Sequence, residues 1–430
     1  MTTETWLPLL LGYLIPVGFF LLGWGGMAPE RARRAATVGL LALALATLGY
    51  FSTGFAFHLG GAGDAVPGQP GLEALDSLRG RQLDAGLHWG LIGLEGFFLL
   101  GAADTPAALL LFASYLPMVA TAVLLPVLGL SGRARGWQAL LLGLLTAAVF
   151  FPIIACWAWG GGWLATLGQT LARGHGFVDY GGSGVVYLLG GMVTLGGLIA
   201  LGRQPTADEP AEMPPAHFPL LANLGALLIV VGWIGWSMGT PFHMASAQID
   251  PGRTAVNGLL AVAGATLTTL FYCWLALGQG DPLMVARGLV AGLVAVSAGA
   301  PFIPPWAALA VGAVAGLFFP LAVYLVDRLL GLADSTAAVA TTALSGIWGL
   351  LALALFADGR WGQGWNGIPG DYLGVTSQGV TGFLPAAGFA GDGPGQIIAQ
   401  IVGLAFIAIL GLLSGLLAMQ VLSLPHRWRR

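Results

Sequence analysis

Lysine is absent from this chain of 430 residues, in which all 16 basic residues are arginine against 19 acids. Charge of either sign is scarce at 8%, where an ordinary soluble domain carries roughly a quarter. No basic tract is interleaved with aromatics, so nucleic-acid binding has no support. The two cysteines, Cys156 and Cys273, fall inside apolar runs and are expected as free core residues that do not report a redox compartment. No metal-ligand cluster, nucleotide loop or nucleophile motif stands out, so no cofactor, no metal and no enzymatic activity are expected. The N-terminus, "MTTETWLPLLLGYLIPVGFFLLGWGGM", lacks the basic region and small-residue cleavage site of a signal peptide and reads as a retained first span.

Apolar residues take the place of charge: 57% of the chain is hydrophobic and the mean hydropathy is +0.84. Such a chain stays folded only in an apolar solvent, which makes it an all-α polytopic membrane protein. A helical bundle in lipid grows sideways as one unit, so residues 1–430 read as a single transmembrane domain. Apolar runs punctuated by arginine, proline or glycine place eleven spans near 7–27, 36–58, 105–130, 137–158, 182–202, 219–237, 255–277, 285–300, 306–330, 336–357 and 396–423. A further apolar piece, 86–101, is short, contains Glu95, and reads as a surface or re-entrant helix.

Arginine placement orients the bundle. With the N-terminus outside, the inner segments hold Arg31, Arg33, Arg34, Arg133, Arg135, Arg203, Arg287, Arg328, Arg427, Arg429 and Arg430. The outer segments hold Arg79, Arg81, Arg173, Arg253 and Arg360, so eleven face five. The positive-inside rule favours an outside N-terminus and a cytoplasmic C-terminus in a cell (plasma or inner) membrane.

The chain also echoes itself. Asp179 precedes the fifth span, with Tyr187 eight residues on; Asp334 precedes the tenth, with Thr342 eight residues on. Five spans apart, the two helices run in opposite directions, the mark of an inverted repeat of about 7–202 against about 219–357 with a last helix at about 396–423. In such folds a solute path lies near the midplane between the halves. Both helices are rich in small residues, among them Gly190, Gly191, Ala343 and Gly346, which allow close backbone crossing.

At these residues the sequence resembles the ammonium transporter/Rhesus (Amt/Rh) family. "CWAWGGGWLATLG" and "DYGGSGVVYLLGGMVTLGGLIALGR" follow the family's fourth-to-fifth-span pattern, "GWIGWSMGT" its sixth and "LADSTAAVATTALSGIWG" its tenth. The first span, "GYLIPVGFFLLGWGGM", is similar too. The resemblance implies an Amt/Rh-type homotrimer of eleven-helix protomers, each with its own pore. It implies an outer ammonium site at Trp159 and Thr240, where the aromatic face holds the cation by a contact worth ~1–2 kcal/mol. The alternative for Trp159 is an interfacial belt residue. The family's stacked phenylalanine gate maps onto Met118 and Trp236, neither of which is phenylalanine. Asp179 and Asp334 match structural acids that cap helix N-termini.

Two departures are clear. Transporting members carry a pair of facing mid-pore histidines eight residues after each aspartate; here those positions are Tyr187 and Thr342. Imidazole relays protons near neutrality, whereas tyrosine (pKa ~10) and threonine do not, although both still hydrogen-bond a neutral solute. The histidines present, His58, His88, His175, His217, His243 and His426, fall at span ends or in loops. The chain also stops at "LPHRWRR", so contact with a soluble regulator through a long C-terminal tail is not expected.

The first expectation for function is therefore a divergent ammonium/ammonia channel with weak or absent proton coupling. Two alternatives stay open. One is a permease for another small neutral solute, and the other a non-conducting sensor or structural membrane subunit.

Overall fold

The computed structural model describes residues 3–65, 70–83, 88–203, 218–239 and 248–427. Among them, ten helices are long and apolar enough to cross a bilayer: α1 (Trp6–Gly25), α2 (Pro29–Leu59), α3 (Pro106–Gly129), α4 (Gly136–Ala158), α5 (Ser183–Leu201), α6 (Pro219–Gly239), α7 (Pro251–Leu277), α9 (Pro305–Leu329), α10 (Val339–Phe356) and α11 (Gly393–Leu424). Between α7 and α9 lies α8 (Pro282–Ser297), apolar but only 16 residues long, where the span at 285–300 was expected. The chain is a multi-pass membrane protein built mostly of helix.

Proline and aspartate set the helix starts. Asp250 and Asp281 cap α7 and α8 through their side chains, and a proline follows each at the first helical position. Thr105 and Pro106 do the same for α3. Hydropathy placed the starts of α2 and α7 several residues late, because their opening turns carry arginine.

The apolar piece at 86–101 is not a helix; its residues 86 and 87 lie outside the described set. It begins with β2 (His88–Gly93), which pairs antiparallel with β1 (Leu78–Gln82), and continues in two short 3₁₀ turns. Glycine explains the difference. A side chain at Gly93 would stand 2.4 Å from the carbonyl oxygen of Ala56, so the ribbon lies directly on α2.

Five spans contain a π-helical turn: Tyr50–Gly54, Thr146–Phe150, Ser183–Leu188, Leu325–Leu329 and Val339–Leu344. Such turns insert one residue into a helix and concentrate at functional positions. Tyr187 and Thr342 both sit in one. Helices α5 and α10 cross in contact there: a Cβ on Gly191 would lie 2.6 Å from Thr342 Oγ1, and one on Gly346 would lie 2.4 Å from the Ser183 carbonyl oxygen.

The segment "DYGGS", 179–183, ties this crossing to its surroundings. Asp179 Oδ2 accepts from the backbone N–H groups of Gly184 (2.9 Å) and Val185 (2.8 Å), the opening turn of α5. The N–H groups of Tyr180 and Gly181 donate to the carbonyls of Ala298 and Ser297 at the end of α8. Ser183 Oγ donates to Val294 O at 2.6 Å and accepts from Ala298 N at 2.7 Å. The Tyr180 hydroxyl donates to Ser237 O on α6. At the head of α10, Asp334 Oδ2 accepts from Val339 N at 2.7 Å, the same five-residue offset as Asp179 to Gly184.

The opposite end of the bundle is held by guanidinium groups on backbone carbonyls. The α9–α10 connection receives Arg203 at Leu329 O (2.8 Å) and Leu330 O (2.9 Å), Arg133 at Leu332 O, and Arg287 at Ser335 O (3.0 Å). At the Trp159 end, two glutamines one turn apart on α11 bind the backbone of the α4–α5 loop. Gln396 accepts from His175 N and donates to Gly176 O; Gln400 accepts from and donates to Val178.

Gly346→Ala is expected to destabilise the protein by about 1–3 kcal/mol through overpacking, seen as a lower melting temperature in detergent. Gly370→Ala, where nothing lies within 4 Å, is the neutral control. For Asp179, burial raises the carboxyl from 3.8 to about 6 against backbone N–H donors that pull it down. The folded chain then holds a proton that the unfolded chain releases, so stability falls as pH rises through that interval. Asp179→Asn should flatten this part of the melting-temperature profile, whereas Asp179→Ala should lower stability by about 1 kcal/mol at every pH through loss of the cap.

Candidate functional site

Trp159 ends α4, is 4% exposed, and donates its indole N–H to the Asp179 carbonyl oxygen at 2.7 Å. One residue thus opens α5 with its carboxylate and fixes the indole with its carbonyl. Since the only donor of the indole is taken, Trp159 offers a site its π face. Around it stand Tyr115 of α3 (ring centroids 5.6 Å apart), Trp236 of α6 (6.4 Å), His58 of α2 (6.3 Å) and Phe151 of α4 (6.3 Å). Trp236 is pinned in turn, its N–H donating to Ser114 O at 2.8 Å, and Tyr115 meets it edge-on at 6.5 Å. Four helices therefore supply one aromatic cage of the kind that holds small cations.

Thr240, paired with Trp159 in the sequence reading, lies outside the described residues, as do His217 and His243. Met118 is wholly buried on α3, but the α3 ring that touches both Trp159 and Trp236 is Tyr115, one turn earlier. Tyr115 escaped the sequence reading; its spacing of three from Met118, which puts both on one helix face, was the available signal. His58 escaped as well: it closes α2 as expected of a span end, yet is fully buried against the cage rather than solvated. His175, in the α4–α5 loop, is also buried, and burial pushes its imidazole down to about 4, so it stays neutral at pH 7.

Deeper in the bundle, Tyr187 is fully buried, its ring 5.8 Å from that of Phe19 on α1, and its hydroxyl has no hydrogen-bond partner among the described residues. Thr342 Oγ1 donates to Ala338 O at 2.6 Å in its own helix and keeps its acceptor lone pairs. It lines a cavity of about 20 Å³ together with Phe19, Leu124, Leu128, Thr336 and Thr341. A void of ~10–15 Å³ suffices for one water, so this one has room for a single molecule of that size. The Thr341 hydroxyl is buried there with no partner among the described residues. A desolvated hydroxyl left unmade costs ~1–3 kcal/mol, which a small polar solute would relieve. Sequence reasoning missed both Phe19, which looks like any apolar residue of α1, and the unsatisfied Thr341.

Among the described residues no group of three or more histidine, cysteine, aspartate or glutamate side chains could hold a metal ion, and Cys156 and Cys273 are free and buried. Asp334 is buried, and its carboxyl is raised by that burial, opposed by the Val339 and Ala338 N–H groups, by Arg287 and by the Thr336 hydroxyl.

"Ammonium transporter Amt2" of Archaeoglobus fulgidus is 29% identical over 363 residues, 82% of this chain and 71% of the relative. "Ammonium transporter 1 member 3" of Solanum lycopersicum is 27% identical over 418 residues, covering 93% and 82%. In fold, the chain superposes on a protein titled "Sensor Amt Protein" with a TM-score of 0.77, at 21% identity over 98% of this chain and 92% of that one. For Mep2 of Saccharomyces cerevisiae the TM-score is 0.74, with 22% identity over 98% and 85%. The family model described as "Ammonium Transporter Family" matches residues 6–428. The chain belongs to the ammonium transporter family.

Proposed function

We propose that the protein moves ammonium or ammonia across a membrane without the proton relay of a histidine pair. The observation that carries this reading is the cage at the end of α4: Trp159, with its N–H spent on Asp179, presents only a π face, flanked by Tyr115 and Trp236. A desolvated cation–π contact of this kind is worth ~2 kcal/mol, enough to concentrate a weakly hydrated monovalent cation. Thr240 is proposed as the hydroxyl partner of the cation. Met118 and Trp236 form the constriction below it.

Past that constriction the path runs by Tyr187 and into the hydroxyl-lined cavity at Thr341 and Thr342. Among the described residues no carboxylate lines that cavity, and ammonia can accept from the Tyr187 or Thr341 hydroxyl and donate to Thr342 Oγ1. Neutral conduction follows, with the proton left at the cage side. The functional unit is a homotrimer with the N-terminus outside and the C-terminus cytoplasmic in the cell membrane, and the role is transport rather than enzymatic turnover. Asp179 and Asp334 cap α5 and α10 and do not touch the solute. The two halves, about 7–202 and about 219–357, are taken as inverted repeats.

A second reading, a sensor that binds ammonium without passing it, draws support from the close packing of Phe19 on Tyr187 and from the fold likeness to a protein titled as a sensor.

Liposomes carrying the protein on a solid-supported membrane, given an ammonium jump, test the proposal. The expected result is ammonia-driven alkalinisation of the lumen with at most a small charge transient. Trp159→Leu should reduce it roughly thirtyfold, the value of one lost cation–π contact of ~2 kcal/mol. Replacing Tyr187 and Thr342 together by histidine should increase the charge transient. A wild-type current equal to that of the double variant would sink the account of Tyr187 and Thr342. Ammonium binding with no flux of either species would favour the sensor.

A further inference from the structure

Beyond β2 the chain exposes apolar side chains where a loop in water would carry polar ones. The segment "LEGFFLLG", 94–101, exposes Leu94, Phe98 and Leu100, the last at 68%, and Leu91 of β2 is exposed as well. Contiguous apolar surface of this kind marks a contact that one chain does not satisfy alone. The segment is fastened to α2. Phe98 meets Phe51 edge to face, ring centroids 5.8 Å apart and planes at 77°, and Phe97 meets Phe57 at 5.6 Å and 89°. Phe98 and Leu99 hold φ of 56° and 53°, left-handed backbone that bulky residues rarely adopt. Phe51 in turn continues an exposed apolar row of α2 through Leu40, Leu41 and Leu48. The segment therefore extends the membrane-facing side of a span.

Helix length fixes the depth of that contact. Span α2 runs 31 residues from Pro29 to Leu59, and Arg31, Arg33 and Arg34 in its opening turns hold that end at the bilayer surface. A hydrocarbon core of about 30 Å takes about 20 residues at 1.5 Å each. Counted from Ala35, those residues end at Gly54, which puts Phe51 about 5 Å inside the far boundary. The same count taken back from Arg427 along α11, about 20 residues, reaches Ile407, next to Phe406. Phe406 packs edge-on against Trp163 at 4.9 Å, and Trp157 and Trp89 stand 5.7 Å and 6.2 Å from Trp163. Three indoles at that level make the aromatic belt of a membrane boundary. Trp157 donates its N–H to Leu91 O at 2.8 Å and so ties β2 to the belt.

We propose that residues 94–100 form an interfacial wedge that enters the lipid leaflet at the Trp159 end of the bundle. Phe98 and Leu100 lie among the acyl chains, and the β-ribbon lies at the level of the headgroups. The backbone suits that solvent. Non-helical chain at membrane depth must satisfy its polar groups internally, because lipid offers them no partner. Leu94 N–H donates to Ser77 O at 3.0 Å, Leu99 N–H to Gly96 O at 3.1 Å, and Leu100 N–H to Phe97 O at 3.1 Å. Arg79 and Arg81, exposed on β1, bring positive charge to the height of the phosphates.

Nitroxide accessibility reads the depth. Leu100→Cys in the full-length chain is spin-labelled and reconstituted in vesicles of phosphatidylcholine and phosphatidylglycerol. It is compared with Leu48→Cys on α2 and with Asp371→Cys, an exposed position between α10 and α11. Cys156 and Cys273 are buried, and the unsubstituted chain supplies the background. Oxygen collects in hydrocarbon and a neutral nickel chelate in water. The ratio of oxygen to nickel collisions at Leu100→Cys is expected to be severalfold above that at Asp371→Cys and close to that at Leu48→Cys. Phe98→Cys gives the same reading should Leu100→Cys fail to fold. A ratio equal to that at Asp371→Cys overturns the wedge. A label shielded from both reagents also overturns it, since a second copy or another protein then covers the segment.

Discussion

One buried carboxylate organises the Trp159 end of the molecule. Asp179 receives two N–H groups from the start of α5, and its own carbonyl receives the Trp159 indole. Burying an acid is costly, and the rise of its carboxyl to about 6 records that cost. What offsets it is geometric: helix α5 cannot begin elsewhere, and the indole cannot turn its N–H toward a solute. Tyr180, Gly181 and Ser183 extend the same fastening to α6 and to the end of α8. Cage and crossing are consequently set by one five-residue segment rather than by separate devices.

Below the cage the chemistry changes character. Aromatic faces suit a cation, and a cavity of about 20 Å³ lined by the side chains of Thr336, Thr341 and Thr342 suits a small neutral molecule. The chain contains no titratable imidazole at the crossing of α5 and α10, where Tyr187 and Thr342 stand. On the function proposed above, charge and neutral solute are handled at different depths by different residue types, with no imidazole to carry the proton between them.

The fold was legible in the sequence because its causes are local. Apolar length fixed the spans, arginine and proline marked their ends, and the repeated aspartate-plus-eight spacing pointed to α5 and α10. The π-helical turns there carry no such mark, since nothing in "SGVVYL" or "VATTAL" differs in composition from α-helix. Hydropathy also misread 88–93, where glycines read as part of an apolar helix serve the close approach of a β-ribbon to α2. At the site, Trp159 and Tyr187 were readable from their motifs. Tyr115, Phe19 and His58 were not, because each is brought in from a different helix by packing that no linear pattern encodes.

The fastening of α11 has a bearing on how this loop can drift over generations. Gln396 and Gln400 grip the segment from His175 to Val178 by its peptide groups, with four hydrogen bonds and no side chain of the loop involved. A clasp that reads only the main chain is indifferent to the letters it holds. The side chains of His175, Phe177 and Val178 can be exchanged for others of compatible size while the anchorage persists, whereas Gly176, at φ +70° with Ala165 O 2.0 Å from any added Cβ, and the two glutamines have no such latitude.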